Sequence, residues 1–203
     1  MKRTRWGRLC FFLAASVATL AATGTASAAP IAMRTGGTTT QPVGHYDLCR
    51  QSPVECRQMT DNSGPVKLSK KLWAKIVDVN NRVNIAVKPK TDSEMWGVEE
   101  LWSYPAKEGD CEDYVLMKRH LLMKAGFPAG ALLITVVRQP NGEGHAVLTV
   151  RTDRGDFILD NLKGDVRLWS ETEYQYLKRQ SATNSGKWIS VRDDRDVAVG
   201  SIK

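Results

Sequence analysis

The sequence predicts an α+β fold in which a cysteine-bearing helix packs on an antiparallel sheet. Two observations lead there. Two segments with apolar residues at helical spacing come first, the second ending at Gly126, and short apolar runs of strand character follow, separated by the turn signals Pro140-Asn141-Gly142 and Asp153-Arg154-Gly155. Helices first and a meander of strands afterwards is the pattern of an α+β domain, with helix laid on one face of the sheet. No internal repeat and no second domain are visible.

The elements follow in chain order. Lys2, Arg3, Arg5 and Arg8, an apolar run from Leu9 to Ala22 and the small residues Ala26-Ser27-Ala28 predict a secretory signal peptide over residues 1–28. The run is broken by Ser and Thr and is shorter than the roughly 20 residues of a bilayer span. Residues 29–44, rich in Thr, Gly and Pro without periodicity, are expected to be a flexible mature N-terminus, and 45–203 a single domain. Ser69 has the character of a helix cap, and Leu72, Ile76, Val79 and Val83 form one apolar face running to about Val87, with Pro89 ending the helix. Thr91 to Gly109, with Trp96, Trp102 and Pro105 among polar residues, reads as a loop that packs aromatic rings on the core. Cys111 opens the second helix: Asp110, Glu112 and Asp113 supply an acidic first turn, and Gly126-Phe127-Pro128 stops it. Strands are expected over Ala131–Val137, His145–Arg151 and Asp156–Asp160.

Composition narrows the function. The chain has a formal charge of +7, but four basic residues and no acidic ones lie in 1–28, so the remainder carries only +3. No cluster of Lys and Arg is dense enough for a phosphate-binding stripe, and Lys67 to Lys75 has the look of a solvated helix face, so nucleic acid is not an expected partner. Nucleotide-binding glycine loops are absent, and no organic cofactor is expected. Gly142-Glu143-Gly144 is better read as a hairpin turn that delivers His145. One usable cysteine and one usable histidine do not make a zinc site.

Cysteine counting is the most informative step. Cys10 lies in the signal segment, which leaves three cysteines in a compartment where thiols oxidise. Cys49 and Cys56, with six residues between them, can close a small local disulfide, leaving Cys111 unpaired. Such a thiol is either buried and inert or reactive. At a helix start the unpaired N–H groups and the dipole favour a thiolate, whereas Asp110, Glu112 and Asp113 oppose it unless a cation neutralises them.

Three histidines could serve as base. His45 falls in the flexible extension, and His120, nine residues beyond Cys111 on the same helix, is about 13 Å away along the axis. His145 begins a strand at a sheet edge where a helix N-terminus can dock. Asp160 ends the strand after the next turn, so hairpin pairing brings it beside His145, where a carboxylate can fix the imidazole tautomer. Each residue alone admits a bland reading, a core histidine or a turn aspartate. The three together form a Cys-His-Asp arrangement for nucleophilic catalysis.

The segments GDCEDYVLMKRHLL and GHAVLTVRTDRGDFILDN resemble the bacterial transglutaminase-like cysteine proteinases, a family that includes the LapG-like periplasmic proteases. The resemblance runs from Cys49 to about Trp188 and takes in the paired cysteines, Trp102-Ser103-Tyr104-Pro105, the HAVL strand, LDN and Arg179-Gln180-Ser181. It implies a papain/transglutaminase-like fold and a triad of Cys111, His145 and Asp160. It also implies calcium bound by carboxylates flanking the cysteine, here Asp110 and Glu112; the alternative is an acidic helix cap. An oxyanion hole would use the Cys111 backbone N–H, and Trp102 could add its indole N–H as a tryptophan does in transglutaminase-like enzymes, although an aromatic in this loop is more often core packing.

The function expected is therefore an exported, periplasmic or secreted cysteine peptidase working through a thioester acyl-enzyme on a protein or peptide of the cell envelope. By analogy alone, a membrane-anchored regulator would restrain it. Two alternatives stand beside it. The same thioester could be resolved by an amine, giving transglutaminase-type acyl transfer, or the fold could serve as a non-catalytic peptide-binding module.

Overall fold

A computed structural model describes residues 31–57 and 64–195. The expected signal segment at 1–28 lies outside them. Among the described residues no helix is long and apolar enough to cross a membrane.

The core is a seven-stranded antiparallel sheet. In chain order its strands are β1 (Arg34–Thr39), β4 (Leu132–Arg138), β5 (Gly144–Thr152), β6 (Gly155–Leu159), β7 (Arg167–Leu168), β8 (Gln175–Ser181) and β9 (Asn184–Arg192). Across the sheet they run β1-β9-β8-β4-β5-β6-β7. The central strand β4 is buried on both faces through Leu132, Leu133, Ile134 and Val137, as its nearly unbroken apolar run requires. A separate parallel pair joins β2 (Lys88–Pro89) to β3 (Glu108–Gly109). The α+β expectation and the three central strands therefore agree with the structure to within a residue at most ends.

Two long helices cover one face. Helix α2 (Lys70–Ala86) starts where Ser69 Oγ accepts a hydrogen bond from the Leu72 N–H, and buries Ile76, Val79, Asn80 and Val83 along one stripe. Helix α4 (Cys111–Lys124) is buried nearly all round, from Glu112 to Leu116 and again at Lys118, Arg119 and Leu122. It is sandwiched between α2 and strands β4 and β5. That position explains its weak amphipathicity: one side meets a helix and the other a sheet.

Three expectations are corrected. Residues 34–39, expected to be flexible, form the edge strand β1, because backbone pairing with β9 orders a Thr- and Gly-rich segment that has no apolar pattern of its own. His45, assigned to the same extension, lies in α1 (Val43–Gln51) and is 1% exposed between the rings of Trp102 and Trp188. Trp188 Nε1 donates to His45 Nδ1 at 3.2 Å, and burial, helped by Arg119, pulls the imidazole down to about 4. His45 is thus a neutral core histidine. The loop expected over Thr91–Gly109 contains a short helix, α3 (Asp92–Trp96), closed by a Thr91/Glu94 capping box. Trp102 packs in the core as expected, whereas Trp96 is exposed. Cys49 and Cys56 form the expected disulfide, tying the end of α1 to the turn at Pro53–Cys56.

Candidate active site

Cys111 is the first residue of α4 and the one free cysteine among the described residues. His145 is the second residue of β5, and Asp160 follows directly on β6. The β5–β6 ladder pairs Leu148 with Leu159; carried one pair further, the register sets Asp160 across from Val147 and diagonal to His145. The side chains meet: His145 Nε2 lies 2.9 Å from Asp160 Oδ1, with both residues buried. With Nε2 committed to the carboxylate, Nδ1 is the ring nitrogen able to act as a base.

Burial of Asp160 alone would raise its pKa. Hydrogen bonds from His145, Tyr174 and the Leu162 N–H outweigh it and hold the carboxyl below its ordinary range. Asp160 is therefore an anion beside the imidazole. The backbone N–H of Ala146, the residue after His145, acts to favour the Cys111 thiolate, which places the thiol near the start of β5.

The surroundings of Cys111 are acidic. Its Sγ donates to Glu112 Oε2 at 3.3 Å. Burial first, and then the Glu112 charge, push the thiol well up, against the pull of the Ala146 N–H. Glu112 and Asp110 are themselves raised, each chiefly by burial. Glu112 thus faces the thiol.

The carboxylates that converge are Asp92, Asp110 and Asp113, each offering an oxygen within 4.8 Å of the others. Their bonded oxygens take backbone donors: the Leu101 N–H reaches Asp92 Oδ2, the Asp92 N–H reaches Asp110 Oδ2, and the Ser103 N–H reaches Asp113 Oδ1 at 2.8 Å. Asp92 Oδ1, Asp110 Oδ1 and Asp113 Oδ2 are buried and have no hydrogen-bond partner among the described residues. Three orphaned anionic oxygens in one place fit a hard divalent cation, for which oxygen ligands are suited. Of the expected pair, Asp110 belongs to this cluster and Glu112 is not part of it.

Trp102 is buried beside α1, and its indole N–H donates to Glu100 Oε2 at 3.0 Å. That donor is already engaged by a carboxylate. His120 lies against the Tyr104 ring, away from the His145–Asp160 pair.

A helix-borne free thiol packed on an antiparallel sheet, near a buried imidazole–carboxylate pair, fits a cysteine peptidase of transglutaminase-like type. The chain belongs to the bacterial transglutaminase-like cysteine proteinase family, whose model matches residues 35–196. Among solved structures it is similar to calcium-bound Legionella pneumophila LapG, at a TM-score of 0.52 and 20% identity over 79% of this chain and 88% of that one. A second LapG structure from the same organism gives 0.50 and 22%, covering 74% and 81%, and an EGTA-treated form gives 0.51 and 20%, covering 80% and 84%. No curated protein matches.

Sequence reasoning missed Asp92 and Tyr174 as parts of this site. Asp92 reads locally as a helix-start residue, and nothing in its neighbourhood tells that α3 packs against the start of α4. Tyr174 precedes a strand whose partner is remote in sequence.

Proposed function

We propose that this chain is an exported peptidase that hydrolyses a protein of the cell envelope, with Cys111 as nucleophile, His145 as base and Asp160 as the group that orients the base. The observation that carries this reading is the buried His145–Asp160 pair at 2.9 Å beside the start of the helix that bears the free thiol. His145 Nδ1 takes the Cys111 proton while the sulfur adds to the peptide carbonyl carbon. The Cys111 backbone N–H, at a helix N-terminus, can donate to the oxyanion. Collapse of the tetrahedral species breaks the C–N bond, and the imidazolium returns the proton to the leaving amine. Water, deprotonated by the same nitrogen, then hydrolyses the thioester. Trp102 is given no part, because Glu100 holds its N–H.

We also infer that Asp92, Asp110 and Asp113 hold calcium, in keeping with their orphaned oxygens and with the calcium-bound form of LapG. A bound divalent charge would offset the carboxylates that disfavour a thiolate at Cys111.

The test is alkylation of the purified protein by iodoacetamide at pH 6.5, in calcium and in EGTA, with His145→Ala alongside. An ordinary cysteine is about 1% thiolate at that pH, so an imidazole-activated Cys111 should react up to about 100-fold faster than the variant. Calcium should raise both the rate and the melting temperature, and Asp92→Asn should abolish both responses. Slow alkylation indifferent to His145 would overturn the peptidase reading; a melting temperature unmoved by calcium would overturn the cation site.

A further inference from the structure

Tyr174 has no part in the steps above, yet it touches both the base and the group that orients it. It lies between the turn at Trp169–Glu171 and β8 and is 4% exposed. Its hydroxyl donates to Asp160 Oδ2 at 2.5 Å, and its ring sits 5.6 Å from the His145 ring, tilted by 56°. The other carboxylate oxygen, Oδ1, accepts from His145 Nε2 and from the Leu162 N–H, both at 2.9 Å. A carboxylate gripped at one oxygen can still rotate about its Cβ–Cγ bond, and a bond at the second oxygen removes that freedom.

Tyr174 is itself held. Arg195 donates through Nη2 to the Tyr174 carbonyl at 2.7 Å and through Nη1 to the carbonyls of Trp169 and Thr172. The guanidinium is oriented by Asp193 and lies over the Trp169 and Tyr176 rings, 4.6 and 5.2 Å from their centroids. Burial, and then the hydrogen bond to Asp160, push ionisation of the Tyr174 phenol far up, so it stays a donor at any working pH.

We propose that Tyr174 is a positioning residue of the peptidase reaction: its hydroxyl fixes the rotation of the Asp160 carboxylate, and its ring confines the His145 imidazole to the orientation that serves Cys111. The inference rests on the peptidase reading. It places in the reaction a residue 14 positions beyond Asp160, outside the three segments that carry Cys111, His145 and Asp160, and it gives the Arg195 clamp a purpose at the site.

The test uses Tyr174→Phe, which keeps the ring and removes only the hydroxyl, with Tyr176→Phe as control. Tyr176 is equally buried and loses a hydroxyl contact to Thr172, with none to Asp160. Iodoacetamide alkylation of Cys111 at pH 6.5 should slow roughly tenfold in Tyr174→Phe, the loss expected for one hydrogen bond to a charged group, and stay at the wild-type rate in the control. The low-field imidazole N–H proton resonance of His145 should shift or broaden only in Tyr174→Phe. Wild-type rate and resonance in Tyr174→Phe, or equal slowing in both variants, would overturn the proposal. Should Tyr174→Phe fail to fold, the wild-type chain carrying 3-fluorotyrosine decides: a stronger phenol donor should move the His145 resonance, and an unmoved resonance overturns the proposal. Wild-type alkylation that does not depend on His145 would instead sink the peptidase reading itself.

Discussion

At the scale of single residues, the boldest departure from ordinary burial is Lys118. It stands two turns beyond Cys111 on α4, fully buried, with an Nζ that has no hydrogen-bond partner among the described residues and only the Tyr114 ring, 5.7 Å away, beneath it. Burial pulls the amine down to about 7, with the Asp160 charge acting the other way. The folded pKa is depressed below the ordinary 10.5, so the cost of a buried charge is fully present below pH 7 and is relieved as pH rises from about 7 to 10.5. Lys118→Met should therefore raise the denaturant midpoint at pH 6, by a few kcal/mol in stability, and by much less at pH 10. An equal gain at both values would show that the amine is not buried as described. Activity should fall in the same variant, since Asp160 loses a favourable cation. That Cys111 stands unpaired at a helix start and that His145 meets Asp160 were legible, because an odd cysteine and a scarcity of histidines leave few assignments. Lys118, Tyr174 and Asp92 were not, since their meaning arises only from what packs around them.

Among the elements, α2 does more than cover the sheet. Its buried face carries Asn80 and Asn84, one turn apart, whose amides donate at 2.8 Å to the carbonyls of Gly164 and Asp160. The helix thus grips the loop that presents Asp160 to His145. Asn84→Ala should cost about 1–3 kcal/mol by leaving a carbonyl without its donor, and should speed amide hydrogen exchange at Leu162. Unchanged exchange there would mean that the loop holds its shape without the helix. The apolar stripe of α2 was readable from periodicity, but the two asparagines could not be distinguished from solvated positions. For a related reason β1, β8 and β9 escaped notice: RTGGTT, QYLKRQS and NSGKWISVR carry little apolar alternation, and the β8–β9 hairpin takes its place from ladders to strands remote in sequence, β4 on one side and β1 on the other. The Cys111 helix and strands β4 to β6 had strong local signals and were placed correctly.

Viewed as a whole molecule, the sheet curls until the segment leading into β1 reaches β6. The Asp156 N–H donates to the Ile31 carbonyl at 2.8 Å, and Asp156 Oδ2 accepts from the Met33 N–H at 3.0 Å and from Arg179 at 2.9 Å. Gly155 makes this approach feasible: its φ is +121°, and a Cβ there would lie 2.6 Å from the Ile31 oxygen. Gly155→Ala should thus destabilise by about 1–3 kcal/mol through strain and overcrowding, read as a lower thermal midpoint; a neutral result would show that the closure is loose. The seam also has a temporal meaning. Its first side, Ile31 and Met33, is made early by the ribosome and waits for Asp156, and the adjoining β1 waits longer still for its partner β9. Pairings of such sequence separation form slowly. The edge of β9 is then open to any other strand until the chain's own beginning arrives, so closure of the seam, late in folding, is the step at which a nascent chain chooses between completing itself and pairing with a neighbour.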